Sequence, residues 1–214
     1  GTYLETINKY NFDAAVTFRV KDKHQFSLSG GRNFFEGYKY IDSPMVSSNK
    51  RDTLLVQRNF FFKPVTQYLG NLSYDYLSNS GFNVRVVSDY LKEKITNRGS
   101  LETWDYFNGA EANDEYYKTT RLMNRLFLSK KIGPGFWQSQ NGYFIYLRNK
   151  NRFIKDMTNL EETLTAGKGD QDTSVFKDIY LRGSYDNRVK KLNYTIGYDV
   201  NLEIGKSGKM NGMT

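Results

Sequence analysis

The sequence predicts an all-β fold: an antiparallel, up-and-down meander of about eight long strands that forms part of a transmembrane β-barrel. Three observations carry that expectation. Apolar and polar residues alternate over runs longer than most soluble strands reach. The runs are joined by connections that are short and long in turn. The composition is aromatic-rich, with 17 Tyr and 15 Phe in 214 residues, yet the mean hydropathy is −0.68. Aromatic residues favour strands, and a chain both aromatic and hydrophilic suits a sheet with one apolar and one wet face.

The first hairpin places Phe12, Ala14, Val16, Phe18 and Val20 on one face, against Asp13, Ala15, Thr17 and Arg19, with a turn at Lys21-Asp22-Lys23 and a return through Phe26, Leu28 and Gly30. A second spans Tyr68 to Lys94, with Leu72, Tyr74 and Tyr76 before the Ser78-Asn79-Ser80-Gly81 turn and Phe82, Val84 and Val86 after it. A third spans Tyr117 to Lys150 around Gly133-Pro134-Gly135, with Leu122, Leu126 and Leu128, then Trp137, Tyr143, Ile145 and Leu147. The fourth spans Thr173 to Ile204, with its turn at Asp186-Asn187-Arg188 extended by Lys190 and Lys191. Its second arm alternates cleanly from Leu192 through Tyr194, Ile196, Tyr198, Val200 and Leu202 to Ile204. A bilayer-spanning strand needs about 9–11 residues, and this arm is long enough.

Short connections near 21–24, 78–81, 131–135 and 186–191 alternate with long ones at about 36–67, 95–116 and 149–172. Outer-membrane barrels have short periplasmic turns and long extracellular loops. Tyr68, Tyr90, Tyr116, Tyr117, Phe136 and Tyr185 crowd strand ends, as girdle residues do. On this reading Asp13, Arg19, Asn71, Asp75, Arg85, Asp89, Arg121, Arg125, Asp199 and Glu203 point into the lumen. The opening Gly1-Thr2-Tyr3 and the turn signal Lys206-Ser207-Gly208-Lys209 suggest a piece of a longer chain, so residues 1–214 are read as one partial barrel domain.

Other classes find less support. The net charge of +8 is scattered over turns rather than gathered in a patch, so nucleic acid is not an expected partner. Cysteine is absent, which removes disulfide scaffolds and Cys-based zinc sites. No apolar run is long enough for a transmembrane helix. His24, the single histidine, is read as a solvated residue of a charged turn, which leaves no Ser-His-Asp triad and no expected enzymatic activity. Asp170 and Asp172 in Gly167-Lys168-Gly169-Asp170-Gln171-Asp172 are oxygen ligands of the kind Ca²⁺ takes, but a full calcium loop needs more. No metal or cofactor is expected. Asn159 to Leu164 reads as a short helix within its loop.

The segment Gly197-Tyr198-Asp199-Val200-Asn201-Leu202-Glu203 with Gly205-Lys206-Ser207-Gly208 resembles a strand and turn of TonB-dependent outer-membrane receptors of the Bacteroidetes type. The stretches Asp89 to Ile95, Phe153 to Asp156, Glu161 to Leu164 and Gly169 to Thr173 look like strand and loop segments of the same group. The resemblance implies a 22-stranded barrel with a plugged lumen in the bacterial outer membrane, and active uptake of a siderophore, cobalamin or glycan. It implies as partners outer-membrane lipid, the rest of the barrel and the plug, and the TonB complex through that plug; it leaves open a surface lipoprotein over the loops. The sequence contains neither plug nor TonB-contacting segment, so no plug residue is carried over.

Candidate substrate contacts fall in the long loops. Trp104, Tyr106 and Phe107 combine aromatic faces with neighbouring polar groups, which suits sugars or a macrocyclic ligand. Tyr38 and Tyr40 are nominated on the same ground. The plainer explanation of such aromatics is packing between loops or seating at headgroup level. The alternative function is a complete small eight-stranded barrel acting as an adhesin or structural anchor.

Overall fold

A computed structural model describes residues 4–6, 9–40, 63–105 and 109–209, with side chains for 9–37, 63–99 and 111–207. It contains strands β1 (Leu4–Thr6), β2 (Lys9–Val20), β3 (His24–Phe35), β4 (Tyr38–Tyr40), β5 (Val65–Leu77), β6 (Asn83–Asp105), β7 (Gly109–Ile132), β8 (Gly135–Asp156), β9 (Glu162–Leu164), β10 (Asp172–Val189) and β11 (Leu192–Lys209). Nine strands form one antiparallel sheet. Its main path is β2-β3-β5-β6-β7-β8-β10-β11, and β9 pairs with β8; β1 and β4 form a separate two-stranded ladder. The path is a plain up-and-down meander. It is open, and no strand among the described residues pairs with the outer edge of β2 or of β11.

The expected alternation decides the faces. Directly paired residues lie on the same side of a sheet, so the registers can be followed across all eight strands. One such row runs Val16, Leu28, Leu72, Ser88, Asn124, Tyr143, Ile179, Leu202. This face is apolar in its middle, and its side chains stand in the open: Phe12 is 68% exposed, Ile196 67% and Leu202 60%. The other face carries every one of Asp13, Arg19, Asn71, Asp75, Arg85, Asp89, Arg121, Arg125, Asp199 and Glu203, as the alternation requires. Polar-face residues of seven strands, from Arg19 on β2 to Arg182 on β10, line a single concave space of about 1070 Å³. The sheet therefore curls with its polar side inward. Among the described residues no element packs over the apolar side. Among the described residues only Val87, Ala112, Tyr116 and Met157 are buried apolar side chains, so the sheet has no conventional core.

The short connections hold, with adjusted bounds. Lys21 and Asp22 take φ of 50° and 53° in the loop between Val20 and His24. Gly133, at φ 58°, opens the two-residue Gly133-Pro134 loop, where a glycine at the first central position fits a tight hairpin turn. The fourth turn is Lys190-Lys191; Asp186, Asn187 and Arg188 remain paired in β10, because Thr195, Tyr194 and Asn193 satisfy them across the ladder.

Two of the long connections are corrected. The stretch 95–116 is mostly strand: β6 and β7 stay paired from Asn83↔Ser129 to Asp105↔Gly109, with register shifts between Arg98 and Thr103. Likewise β8 runs on to Asp156, and Glu162–Leu164 is strand β9 on β8 where a short helix was expected. Polar residues occur at both parities in these segments. They carry no hydropathy alternation, yet the backbone ladder continues through them. Residues 41–62 of the remaining connection lie outside the described residues.

Candidate functional site

The concave wall is built from ladders of cross-strand side chains. On one row Asn33 Nδ2 donates to Gln67 Oε1 (3.1 Å), and Gln67 Nε2 donates to Glu93 Oε2 (2.6 Å). On another, Asn71 Nδ2 and Arg125 Nη2 both donate to Asp89, at 2.6 Å each. Nearer the short turns, Arg19 Nη2 reaches Gln25 (2.8 Å) and Arg85 pairs with Asp75 (3.2 Å). Arg182 grips Asp199 with Nε and Nη2 at 3.0 and 2.6 Å. These links run along the hydrogen-bonding direction, so each ties two strands together. They are half-exposed, and pairs of that kind contribute about 0–1 kcal/mol each. What they set is the character of the wall: four arginines, each held by an acid or amide, lining a wide polar trough.

Glycine shapes the same wall. A Cβ on Gly142 would run into the Tyr180 ring, and on the outer face one on Gly135 would run into the Tyr185 ring. The Tyr180 ring thus covers the bare backbone of the neighbouring strand, and its hydroxyl accepts from Gln140 Nε2 (3.4 Å). On the outer face the Tyr198 ring covers Gly183, with its hydroxyl 3.2 Å from Ser139 Oγ.

Aromatic residues gather on the outer face beside the short turns. Phe18 stacks on Phe26 (5.0 Å between centroids), Phe26 packs against Tyr74 (4.8 Å), and His24 against Tyr76 (4.9 Å). His24 is accordingly not a solvated turn residue. It is the first residue of β3, with Nδ1 2.9 Å from the Tyr74 hydroxyl. Of the expected girdle, Tyr68, Tyr90 and Tyr185 do face outward, but Tyr117 and Phe136 share the polar parity and face the trough. Tyr116 faces outward from the polar extension of β7.

That extension holds a second cluster. Tyr116 Oη donates to Glu162 (2.5 Å), which Lys155 also reaches (3.1 Å). Burial, then the bond to Glu162, pushes the Tyr116 hydroxyl well above the usual tyrosine range. Burial alone would raise the Glu162 carboxyl, but Tyr116, Lys155 and Lys94 outweigh it and hold it low. Asp114 is 2% exposed and accepts from the Gly99 amide (3.1 Å). Facing the trough, Glu115 balances burial against bonds from Tyr117 and Lys150, with a net lowering. The 167–172 loop is closed on itself: Asp170 accepts from Gly167 N (3.0 Å) and Arg152 Nη1 (3.4 Å). Asp170 is held low by Thr165 first, and by Arg152. Among the described residues no three acidic or histidine side chains gather as metal ligands.

The nominated contacts cannot be assembled from this geometry. Tyr106 and Phe107 lie outside the described residues, and Trp104, Tyr38 and Tyr40 lie on β6 and β4 beyond the residues whose side chains are described. What sequence reasoning missed is the lateral wiring of the wall. Its residues were assigned to the correct face, but their partners depend on register between strands. No protein-family model, curated protein or solved structure matches this chain.

Proposed function

We propose that this chain is a segment of the barrel wall of a TonB-dependent outer-membrane transporter, which takes up a scarce solute such as a siderophore, cobalamin or a glycan. The single observation that carries the membrane part is the exposed apolar face running across eight paired strands. A soluble protein seldom leaves an apolar patch larger than a few hundred Å² uncovered, and a bilayer covers one. On β10 the outward residues of the band run from Val175 to Tyr185, with Lys177 among them. At about 3.3 Å per residue and a tilt of about 40°, that is about 25 Å of height, the thickness of the apolar band of such barrels. The inward polar wall, curled around a trough, supports a lumen. The transport part rests on the resemblance of the strand and loop segments around Gly197–Gly208 and Phe153–Thr173. The proposed surroundings follow from it: outer-membrane lipid, the rest of the barrel, a plug and the TonB complex, with a surface lipoprotein over the loops left open.

The experiment is fractionation of the full-length protein followed by uptake. Recovery in the outer membrane, with loss of uptake of one of those solutes on deletion of the gene or on collapse of the proton-motive force, is the expected result. Recovery in a soluble fraction overturns the membrane reading. Outer-membrane recovery with uptake of all three classes unchanged overturns transport.

A second reading, a complete eight-stranded barrel acting as adhesin or anchor, is favoured by one fact: the main path has eight strands, a number that can close on itself. Closure would pair β2 with β11. The chain has no native cysteine, so cysteine pairs placed across these two edges read the question cleanly: oxidation to disulfides supports eight-strand closure, and free thiols support further strands between the edges.

A further inference from the structure

The inner wall holds two kinds of arginine. Arg19, Arg85, Arg125 and Arg182 line the trough, and each is held by a neighbouring acid or amide. Arg152 likewise reaches Asp170. Arg121 and Arg148 share the inward face but lie outside the trough lining, further along β7 and β8 from the Gly133-Pro134 turn. Among the described residues neither of these two forms an ion pair or a side-chain hydrogen bond. Arg121 stands directly opposite Tyr146, and Arg148 opposite Thr119, so the two cations lie on one diagonal of the β7–β8 ladder. Their roots are about 7–8 Å apart. The Arg148 guanidinium lies over the Tyr117 ring at 4.5 Å. Tyr146 is in turn opposite Phe176, whose ring meets Phe144 edge-on at 5.9 Å. The nearby acids are Glu115, Glu93, Asp172 and Asp178. Glu115 is engaged by Tyr117 and Lys150, and Glu93 by Gln67. Asp172 and Asp178 stand on β10, one strand beyond β8, and each has a buried carboxylate oxygen with no hydrogen-bond partner.

We infer that Arg121 and Arg148, with the rings of Tyr117 and Tyr146 beside them, select a solute that carries carboxylate groups on a flat body: a uronate-bearing glycan or a carboxylate iron chelate. The inference rests on the transport reading above and narrows its solute. Like charges side by side on a sheet repel, and here no acid of the wall offsets them. A carboxylate placed between the two guanidinium groups removes that repulsion. Each guanidinium presents a planar fork of donors that fits a carboxylate with two parallel hydrogen bonds. The neighbouring rings offer apolar faces on which a sugar ring or a planar chelate can lie. Asp172 and Asp178 bound the patch on the β10 side and repel a carboxylate that strays toward them, which fixes the ligand over β7 and β8. A neutral glycan would use the rings and leave both guanidinium groups unanswered.

The test is calorimetric titration of the full-length protein in detergent with three probes: an oligogalacturonate, the same oligosaccharide methyl-esterified, and iron(III) citrate. The expected result is binding of a carboxylate probe, with oligogalacturonate pointing to a glycan and iron citrate to a chelate, and no comparable binding of the ester. Arg121→Gln or Arg148→Gln alone should weaken that binding about tenfold, and the two together about a hundredfold. Arg121→Lys with Arg148→Lys keeps the charge without the fork and should fall between, which separates recognition from misfolding. Lys131→Gln, inward at the short-turn end, should change nothing. The proposal is overturned if neither carboxylate probe binds, if the ester binds as well as the acid, if the double Gln variant binds as the native protein does, or if inorganic phosphate displaces the ligand at equal concentration. Uptake measured alongside separates the two readings. Energy-dependent uptake with no preference for carboxylates overturns only the arginine patch, whereas absence of energy-dependent uptake overturns transport as well.

Discussion

The β10–β11 and β6–β7 hairpins share one backbone plan and differ in what they show to the outside. In β10–β11 the outer parity is apolar over a long run: Ile179, Leu181, Gly183 and Tyr185 face Leu202, Val200, Tyr198 and Ile196, and Lys177 and Val175 beyond them face Ile204 and Lys206. In β6–β7 the same parity is apolar only from Val84 to Tyr90 and from Leu122 to Leu128; past Lys92 both faces are polar, and the ladder still runs on to Asp105↔Gly109. Hydrogen bonding thus sets where strands exist, and outward side chains set which stretch of a strand carries the apolar face. The register shifts between Arg98 and Thr103 fall beyond the apolar stretch, where a slipped residue leaves the faces of the band unchanged.

The sharpest way to break that comparison is to put the same charge in both hairpins. Leu181→Arg, at mid-band on β10, should cost about 2–4 kcal/mol in denaturant titrations from lipid vesicles, and Thr120→Arg, at the rim on β7, about 0–1 kcal/mol. Equal costs would mean that the outer face is not covered by lipid. Next in size is the glycine–tyrosine contact. Gly142→Leu should destabilise by about 2 kcal/mol, because Tyr180 must leave its place. Most of that loss should vanish in a Tyr180→Ala background, as a double-mutant cycle would register. Asp89→Ala strips a partner from both Asn71 and Arg125 and should cost about 1 kcal/mol, discounted for the exposure of the pair.

The smallest effect concerns the polar extension. The folded Glu162 carboxyl is held below its usual value. Its contribution is therefore present above the pKa of a free glutamate, about 4.3, and is lost as pH falls through the lower folded value. Hydrogen exchange at residues 162–164 should quicken in that acid window while the band strands stay protected. Glu162→Gln should abolish the pH dependence at a cost of under about 1 kcal/mol. A protection pattern unchanged by acid in the native chain would show that β9 does not depend on this carboxylate.

Much of the wall was legible because a period of two needs no partner to be read. Leu192 to Ile204 declares its faces alone, and the ten charged and polar residues assigned inward all share the concave face. The pattern fails where both parities are polar. Nothing in Thr96, Asn97 and Arg98 distinguishes strand from loop, and the segment becomes strand only because Tyr116, Glu115 and Asp114 stand opposite. Asn159 to Leu164 has helix-forming residues, but pairing of Glu162–Leu164 with Phe153–Lys155 overrides that weak preference. His24 was misplaced by one position, since the turn closes at Lys23. Hydrogen-bonded ladders such as Asn33-Gln67-Glu93 join residues from three strands, and only the registers bring them together.

Among the described residues each strand of this wall packs against its neighbours in the sheet, with no layer behind them. Such a wall is written one hairpin at a time. Adding or removing an adjacent pair of strands would bring like edges together and return the chain to the same end, so the hairpin is the natural unit in which its circumference could change over evolution. A single inserted strand would deliver the chain to the wrong end, and a single inserted residue inside a strand would turn the residues beyond it inside out.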